Sequence, residues 1–298
     1  MKNIAILFLS IVFEALPFLL FGSFLSAIIE RFVSEEKMVK LFPKNIFLGS
    51  FVGVILGFFL PACDCAVIPI SKKLIEKKVP ISVAVSFMLA SPIINPVVLL
   101  STYTAFSKVS MKMFYYRFIL GIIIAFVVGI IIGFIFRDNY VLKNGSCECS
   151  DEEELEHHFK RKHGLLSDFA FILRHTGEDL FDVLKYLMFG AFIASIVQVF
   201  VPRTLITLFH DNIVLSIIVL MIFAYLISLC SNSDSFVGRS LLSTFGSSGV
   251  LAYLLLGPMI DIKNTIVLFG NYKKSFVFSL IGFIFLFVLI FSLVVGLV

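Results

Sequence analysis

Apolar stretches separated by short polar loops run along almost the whole chain. Eight of them are long enough, or nearly long enough, to cross a bilayer, because a helical crossing needs roughly 20 mostly apolar residues. They cover approximately residues 4–29, 45–61, 80–106, 113–136, 178–200, 213–230, 247–270 and 275–298. This pattern predicts an all-α integral membrane protein with about eight transmembrane helices.

The composition supports this class of protein. Of the 298 residues, 59% are hydrophobic and only 15% are charged, and there are 36 Phe and no Trp. A soluble domain has about a quarter charged residues. The formal net charge of +4 is small and scattered along the chain, which argues against a nucleic-acid-binding protein.

One long polar stretch, residues 137–169, divides the chain. It has no apolar periodicity of its own, so it is predicted to be a connector rather than a domain. We therefore predict a first transmembrane repeat at 1–136, a polar connector loop at 137–176 and a second transmembrane repeat at 177–298. The positive-inside rule narrowly favours a cytoplasmic connector, with 12 Lys/Arg on its side of the membrane and 10 on the other.

The two halves repeat one another. Residues 13–30 (FEALPFLLFGSFLSAIIE) align with 181–198 (FDVLKYLMFGAFIASIVQ), with seven of 18 positions identical at an offset of 168. Cys63 then aligns with Cys230 at 167, and FMLASPIIN (87–95) with YLLLGPMID (253–261) at 166. Transporters are commonly built from such repeats, with the substrate site where they meet. Parallel and inverted repeats both fit the pattern.

Prolines interrupt two of the apolar segments at matching repeat positions. In the first half Ser91 and Asn95 each precede a proline, Pro92 and Pro96; in the second, LLGPMID contains Pro258 and Asp261. Proline removes a backbone donor and bends the residue before it away from helical geometry. In a membrane such a break is tolerated inside protein or beside a water-filled cavity. We interpret the breaks as part of a permeation site, and a purely structural kink is the alternative.

Ionisable residues inside the apolar segments indicate the same function. Glu14 and Asp182 occupy equivalent repeat positions, and such groups usually face a bundle interior or an aqueous path. A structural ion pair between Asp182 and Lys185 is the alternative reading. With Asp64, Asp234 and Asp261, these two carboxylates are the predicted proton-coupling residues.

The sequence PACDCAVIPIS (61–71) places Cys63, Asp64 and Cys65 directly after an apolar segment. A disulfide across this spacing would be strained, and packing as small apolar residues explains the arrangement poorly. The third reading is coordination of a soft cation or metalloid by adjacent thiolates. The equivalent stretch of the second half, LCSNSD, contains Cys230, Asn232 and Asp234, so the three thiols are predicted to converge on one cavity. The lysine-rich stretch after the motif is predicted to form a short re-entrant or interfacial helix.

The connector has a second set of metal-ligand residue types. Cys147 and Cys149 precede His157 and His158, with His163 further on. Their spacing matches no standard zinc pattern, so a metal site and a disordered charged linker both remain open. No GxxxxGK[ST] sequence occurs, which argues against ATP hydrolysis by this chain. No cofactor is expected.

The stretch PACDCAVIPISKKLIEKKVPISVAVSFMLASPIINPVVLLSTYTAF (61–106) resembles the signature of the bacterial predicted-permease family that includes the ArsP-type organoarsenical efflux permeases. Its hallmarks are a Cys-x-Cys followed by Ile-Pro, then Val-Pro opening a helix that ends in Ser-Pro and Asn-Pro. The resemblance implies a multi-pass protein of the bacterial inner membrane that exports trivalent organoarsenicals such as methylarsenite, with the paired cysteines handling the substrate. Asp64 stands where many relatives are expected to have a small residue.

These observations favour a secondary transporter over an enzyme. We expect it to lie in the lipid bilayer and to export a small thiophilic solute, with proton coupling as the energy source. The predicted substrate-binding residues are those of the thiol motif and of the helix breaks: Cys63, Asp64, Cys65, Cys230, Ser91, Pro92, Asn95, Pro96, Asn232, Asp234, Pro258 and Asp261. The alternatives are a soft-metal cation transporter, a membrane thiol–disulfide oxidoreductase and a structural or regulatory membrane subunit.

Overall fold

The structure is a computed structural model that describes residues 2–32, 42–43, 45–60, 64–136, 141–142, 165–200 and 213–297. These residues form eleven α-helices and no β-strand, apart from one isolated bridge between Leu142 and Tyr272. The helices are α1 (Lys2–Phe32), α2 (Ile46–Phe59), α3 (Asp64–Glu76), α4 (Ile81–Ile94), α5 (Pro96–Phe106), α6 (Met111–Ile135), α7 (Leu165–Phe200), α8 (Ile213–Ile227), α9 (Ser231–Met259), α10 (Ile262–Asn271) and α11 (Lys274–Leu297). The predicted all-α class is confirmed for the described part of the chain.

Six helical stretches of the described chain are long and apolar enough to cross a membrane. They are Ile4–Ile28, Ile81–Phe106, Met111–Ile135, Ile172–Val199, Ser231–Asn271 and Lys274–Leu297. The remaining two predicted segments correspond to shorter apolar helices, α2 and α8, of 14 and 15 residues. The protein is therefore a multi-pass membrane protein. Eight crossings and two repeated halves stay predictions.

Helix α4 forms the centre of the N-terminal half. All 14 of its residues are buried. Helix α2 packs against α4 through glycines spaced by four residues. A Cβ atom on Gly53 would lie 2.4 Å from the carbonyl oxygen of Val83, so only glycine fits there. On the opposite side a Cβ on Gly129 of α6 would overlap the hydroxyl of Ser86. Small residues at such spacing let membrane helices approach closely, so α4 lies between α2 and α6.

Helix α9 has the equivalent central place in the C-terminal half, and every residue from Ser248 to Met259 is buried. The helix is kinked at Gly246, whose φ of 70° is a conformation that glycine adopts without a steric penalty. After the kink, Gly249 lies against Leu220 of α8. Gly296 of α11 lies against Ser248 on another side. Both central helices are thus shielded by neighbouring apolar helices.

Helices α1 and α7 pack against each other at the edge of the bundle. Each presents large exposed apolar side chains, including Phe13 and Phe181. Extended exposed apolar surface of this kind is typical of contact with a membrane. On their inner sides, Gly22 of α1 lies against Ala66 of α3 and Gly190 of α7 against Lys263 of α10. The short helices α3 and α10 are thereby held inside the bundle.

Candidate functional site

The first helix break separates α4 from α5 at Asn95. Pro92 lies inside the last turn of α4, and Asn95 has extended backbone angles (φ −55°, ψ 133°). Its side-chain oxygen accepts a hydrogen bond from the backbone N–H of Val97 at 3.0 Å, and Pro96 is the first residue of α5. Asparagine is among the best N-cap residues, and proline is favoured at the first helical position. The polar side chain after the proline therefore restarts the helix.

The second break repeats this construction. Pro258 lies inside the end of α9, and Asp261 begins α10. The Asp261 carboxylate accepts a hydrogen bond from the backbone N–H of Asn264 at 2.7 Å. Asp261 is fully buried, and its other oxygen lies 3.0 Å from the Lys263 ammonium. Asn95 and Asp261, which the repeat alignment pairs, thus have the same structural role.

Each break is hydrogen-bonded to the loop that leads to a cysteine. In the N-terminal half the Ser91 hydroxyl donates to the carbonyl oxygen of Leu60 at 3.2 Å, one residue before the PACDC sequence. In the C-terminal half the Lys263 ammonium donates to the carbonyl oxygen of Ser228 at 3.3 Å, two residues before Cys230. Leu60 and Ser228 therefore lie beside the breaks.

A small cleft with room for about one water molecule lies where the two halves meet beside the second break. It is lined by Val67, Ile68, Met88, Pro258, Met259, Asn264 and Leu268. The lining residues come from α3 and α4 on one side and from α9 and α10 on the other. Its walls are mainly apolar, with two methionine thioethers and one amide.

A second polar cluster joins the two halves through Arg117, which sequence reasoning missed. Arg117 of α6 is fully buried, and its guanidinium donates to the hydroxyls of Thr102 at 2.8 Å and Ser235 at 2.7 Å. Asp234 also interacts electrostatically with this guanidinium, and it accepts a hydrogen bond from the Tyr253 hydroxyl at 2.9 Å. The available signal was a lone arginine within an apolar segment, a position that is usually functional or paired.

The remaining residues of the predicted breaks have different surroundings. Pro92 is buried in α4, whereas Pro96 is exposed at the start of α5. Cys230 is half-buried directly before α9, and its carbonyl oxygen accepts a hydrogen bond from the backbone N–H of Asp234. Asn232 is half-buried in the first turn of that helix, with no hydrogen-bond partner for its side-chain oxygen. Cys230 and Asn232 therefore lie within one turn of the Arg117 cluster.

Two of the predicted proton-coupling residues lie on exposed faces. Glu14 is exposed on α1. Asp182 is exposed on α7, with its carboxylate 2.7 Å from the Lys185 ammonium, so the ion pair considered from the sequence is formed. A second ion pair is more buried: Lys73 of α3 lies 3.6 Å from Asp179 of α7. Neither Glu14 nor Asp182 lines the cleft.

Several predicted ligands lie outside the described residues. These are Cys63, the side chains of Asp64 and Cys65, and the connector residues Cys147, Cys149, His157 and His158. Among the residues that the structure does describe, no group of three or more His, Cys, Asp or Glu is placed to hold a metal ion. The convergence of the three thiols and the metal site in the connector stay predictions.

Buried broken helices, capped alike in each half and joined by a cleft, define a membrane protein of the kind that moves solutes. The model of the ArsP_1 family, described as predicted permease, matches residues 1–297. The chain belongs to this predicted-permease family, which confirms the resemblance seen in the sequence. It is 38% identical to a Streptococcus mutans protein named as a subunit of a two-component membrane permease complex, over 97% of this chain and 94% of that protein. It is 41% identical to the UPF0718 protein YcgR of Bacillus subtilis, over 97% and 95%. No solved structure matches it.

Proposed function

We propose that this permease is a secondary transporter that exports a small, neutral, thiophilic solute such as the trivalent organoarsenical methylarsenite. The observation that supports this most strongly is the matched pair of helix breaks, capped by Asn95 and Asp261, each hydrogen-bonded to the loop that leads to a cysteine. Broken helices at the interface between repeats are typical of transporter substrate sites. Soft thiolate ligands at that place suit a soft metalloid.

The charges inside the bundle favour a neutral solute over a soft-metal cation. Buried Asp261 has the Lys263 ammonium 3.0 Å away, and buried Asp234 has the Arg117 guanidinium as an electrostatic partner. Each buried carboxylate among these is therefore compensated by a cation of the protein itself. A divalent ion bound beside them would gain no uncompensated negative charge from these two carboxylates, and charges leave water at a high cost.

The thiols are the proposed ligands of the solute. We place Cys63 and Cys65 from one half and Cys230 from the other around the trivalent arsenic atom. Because the As–C bond is kept, two of these thiols bond to the arsenic at a time, and each As–S bond replaces an As–OH bond with release of one water. Asp64, Ser91, Asn95, Asn232 and Asp261 would provide polar contacts along the same path. Protons would move through carboxylates of the predicted coupling set, of which Asp234 and Asp261 are buried.

Uptake into everted membrane vesicles tests the proposal, because an exporter fills such vesicles. The panel contains methylarsenite, inorganic arsenite, Zn²⁺ and Cd²⁺, each with and without an imposed pH gradient. Methylarsenite is expected to accumulate, and to do so faster with the gradient, whereas the cations are not. Accumulation of a cation instead would favour the soft-metal alternative. Absence of uptake, together with altered disulfide states of other membrane proteins, would favour a thiol–disulfide oxidoreductase.

A further inference from the structure

Helices α1 and α7, which the repeat alignment pairs, run antiparallel to each other. The Ser26 hydroxyl of α1 donates to the Asp179 carboxylate of α7 at 3.0 Å, and the Phe8 ring contacts the Phe192 ring. The end of α1 therefore lies beside the beginning of α7, and the reverse. Both helices are long and apolar enough to cross the membrane, so equivalent parts of the two halves cross it in opposite directions. This is the geometry of inverted repeats.

The other helices follow the same correspondence. Helices α2 and α8 begin at residues 46 and 213, and α3 and α9 begin at 64 and 231, so each pair is 167 residues apart. Helices α5 and α10 begin at 96 and 262, which are 166 residues apart. Thr102 of α5 and Ser235 of α9 are hydrogen-bonded at 3.1 Å, and their equivalents, Leu268 of α10 and Ile68 of α3, both line the small cleft. The surface formed by α3 and α10 is thus equivalent to the surface formed by α5 and the first part of α9.

Among the described residues, α1 and α7 cover only one of these two equivalent surfaces. A Cβ on Gly22 of α1 would lie 2.8 Å from the Cβ of Ala66 on α3, and a Cβ on the equivalent Gly190 of α7 would lie 3.0 Å from Lys263 on α10. Small residues of this kind let membrane helices pack closely. We call the surface of α3 and α10 the covered surface, and that of α5 and residues 231–245 of α9 the uncovered surface.

The uncovered surface is exposed at the positions that correspond to these close contacts. The residues equivalent to Ala66 and Lys263 are Ser233 and Val97, and both are exposed. The exposed apolar residues around them are Leu100, Tyr103 and Phe236. Arg239 is exposed on the same part of α9, whereas a surface that is always covered by lipid rarely has a charge. The uncovered surface therefore suits a protein helix better than lipid.

We propose that α1 and α7 move as one unit from the covered surface to the uncovered surface, and that the structure is one of two end states of the transport cycle. This inference rests on the proposed transport function but not on the identity of the solute. In transporters built from repeats, one bundle moves against the other around a fixed site. Ala66, which follows the thiol motif, is covered in this state, and Ser233, three residues after Cys230, is covered in the other. The move thus exchanges the surroundings of the two cysteine-bearing stretches.

An ion pair holds α1 and α7 on the covered surface. Lys73 of α3 lies 3.6 Å from Asp179 of α7, and both side chains are mostly buried. The equivalent positions on α9 and α1 are Ser240 and Ile11, which cannot form an ion pair. Asp179→Asn removes the charge and keeps an acceptor for the Ser26 hydroxyl. It is expected to raise the population of the other state about fivefold, the effect of losing one ion pair.

Pairs of introduced cysteines report which surface α1 and α7 occupy. Tyr186→Cys/Gly270→Cys links α7 to α10 in the described state, because a Cβ on Gly270 would lie 2.7 Å from the Tyr186 ring. The equivalent pair, Phe18→Cys/Thr104→Cys, links α1 to α5 only after the move, and both of these residues are exposed in the structure. Membranes are oxidised with copper phenanthroline. Mass spectrometry of the digested protein identifies each linkage directly, so the native cysteines do not interfere. Both pairs are expected to link.

Phe13→Cys/Thr104→Cys is the matched control. The residue equivalent to Phe13 is Phe181, which is exposed on α7 although α7 packs on α10, so this pair should not link in either state. Adding Asp179→Asn to the Phe18→Cys/Thr104→Cys variant should raise its initial rate of linkage about fivefold, in line with the population. Adding Asp182→Asn instead, which removes an exposed charge from the same helix, should leave that rate unchanged.

Two results would overturn the inference. If the 186–270 pair links but the 18–104 pair links no faster than the control, α1 and α7 stay on the covered surface. If the 186–270 pair does not link, α7 does not pack on α10 in the membrane. Should the 18–104 variant not accumulate, Ile11→Cys/Ser240→Cys decides between the same results, because it is equivalent to the contact between Asp179 and Lys73.

Uptake separates this inference from the proposed function. Protein linked between residues 18 and 104 is held in one state, so it is expected to lose its methylarsenite uptake and to regain it after reduction with a phosphine. Undiminished uptake by the fully linked protein would overturn the inference. If the wild type takes up no methylarsenite, the proposed solute fails, and the linkage results still decide whether α1 and α7 move.

Discussion

At the scale of single residues, Arg117 has the largest fully buried side chain of the described residues. It is a fully buried cation that two hydroxyls and the Asp234 charge stabilise. Its hydrogen-bond partners are Thr102 on α5 and Ser235 on α9. Ser235 lies more than a hundred residues after Arg117 in the chain. A buried charge whose partner is removed is strongly destabilising. The cluster therefore fastens the start of α9, which follows Cys230, to the N-terminal half.

This arrangement predicts that Arg117→Met destabilises the protein by about 3–5 kcal/mol, because it leaves the Asp234 charge buried without its cation. The double variant Arg117→Met/Asp234→Asn should recover part of that loss. Thermal unfolding in detergent measures both effects. Arg239→Met is the control, since Arg239 is exposed on α9 and exposed substitutions usually change stability by less than about 0.5 kcal/mol. An unchanged midpoint for Arg117→Met would contradict this account of the cluster.

Sequence reasoning located best those residues whose structural role is determined by their neighbours in the chain. Asn95 and Asp261 follow prolines at repeat-matched positions, and both proved to be at helix breaks. Arg117 was missed because its importance comes from partners on other helices. Glu14 and Asp182 show the same limit. The sequence indicates how far along a helix each residue lies, but not which face of the helix it occupies. In the structure each of them lies on an exposed face.

At the scale of elements, the two caps are structurally equivalent but not equally costly to remove. Losing an N-cap usually costs about 1 kcal/mol, which is the loss of stability expected for Asn95→Ala. Asp261→Ala removes the cap and also the carboxylate beside the buried Lys263 ammonium, so its loss should reach about 3–5 kcal/mol. Thermal unfolding of the two variants checks this order. A smaller loss for Asp261→Ala than for Asn95→Ala would contradict it.

The close contact between α2 and α4 depends on the glycines of α2. A Cβ on Gly53 would lie 2.4 Å from the backbone of α4, whereas a Cβ on Gly282 of α11 would meet nothing within 4 Å. We expect Gly53→Ala to destabilise the protein by about 1–3 kcal/mol through overpacking. Gly282→Ala should be neutral, or stabilising by up to about 1 kcal/mol, because alanine favours the helix. Equal unfolding midpoints for the two variants would show that α2 does not pack this closely.

Hydrophobic patterning predicted the apolar helices well, because lipid and core burial impose long runs of one residue class. All eight predicted segments are helical in the described chain, and the short helix predicted after the CDC motif is present as α3. The first part of α9, from Ser231 to Phe245, was not predicted to be helical. Its Ser, Asn and Asp residues usually favour caps and turns, and tertiary packing overrode that preference.

At the scale of the whole molecule, the two predicted halves contact each other at several places among the described residues. These include the packing of α1 against α7, the small cleft near the second break, the Arg117 cluster, and the hydrogen bond between Ser71 and Tyr272. The membership of the predicted-permease family agrees with this arrangement.

The central claim is that thiols from both halves handle one solute at the place where the halves meet. Initial methylarsenite uptake into everted vesicles by Cys63→Ser, Cys65→Ser and Cys230→Ser, each matched to the wild type in abundance, tests it most directly. We predict that all three lose at least about tenfold in uptake, because serine cannot replace a soft thiolate ligand. Wild-type uptake by all three variants would contradict the claim.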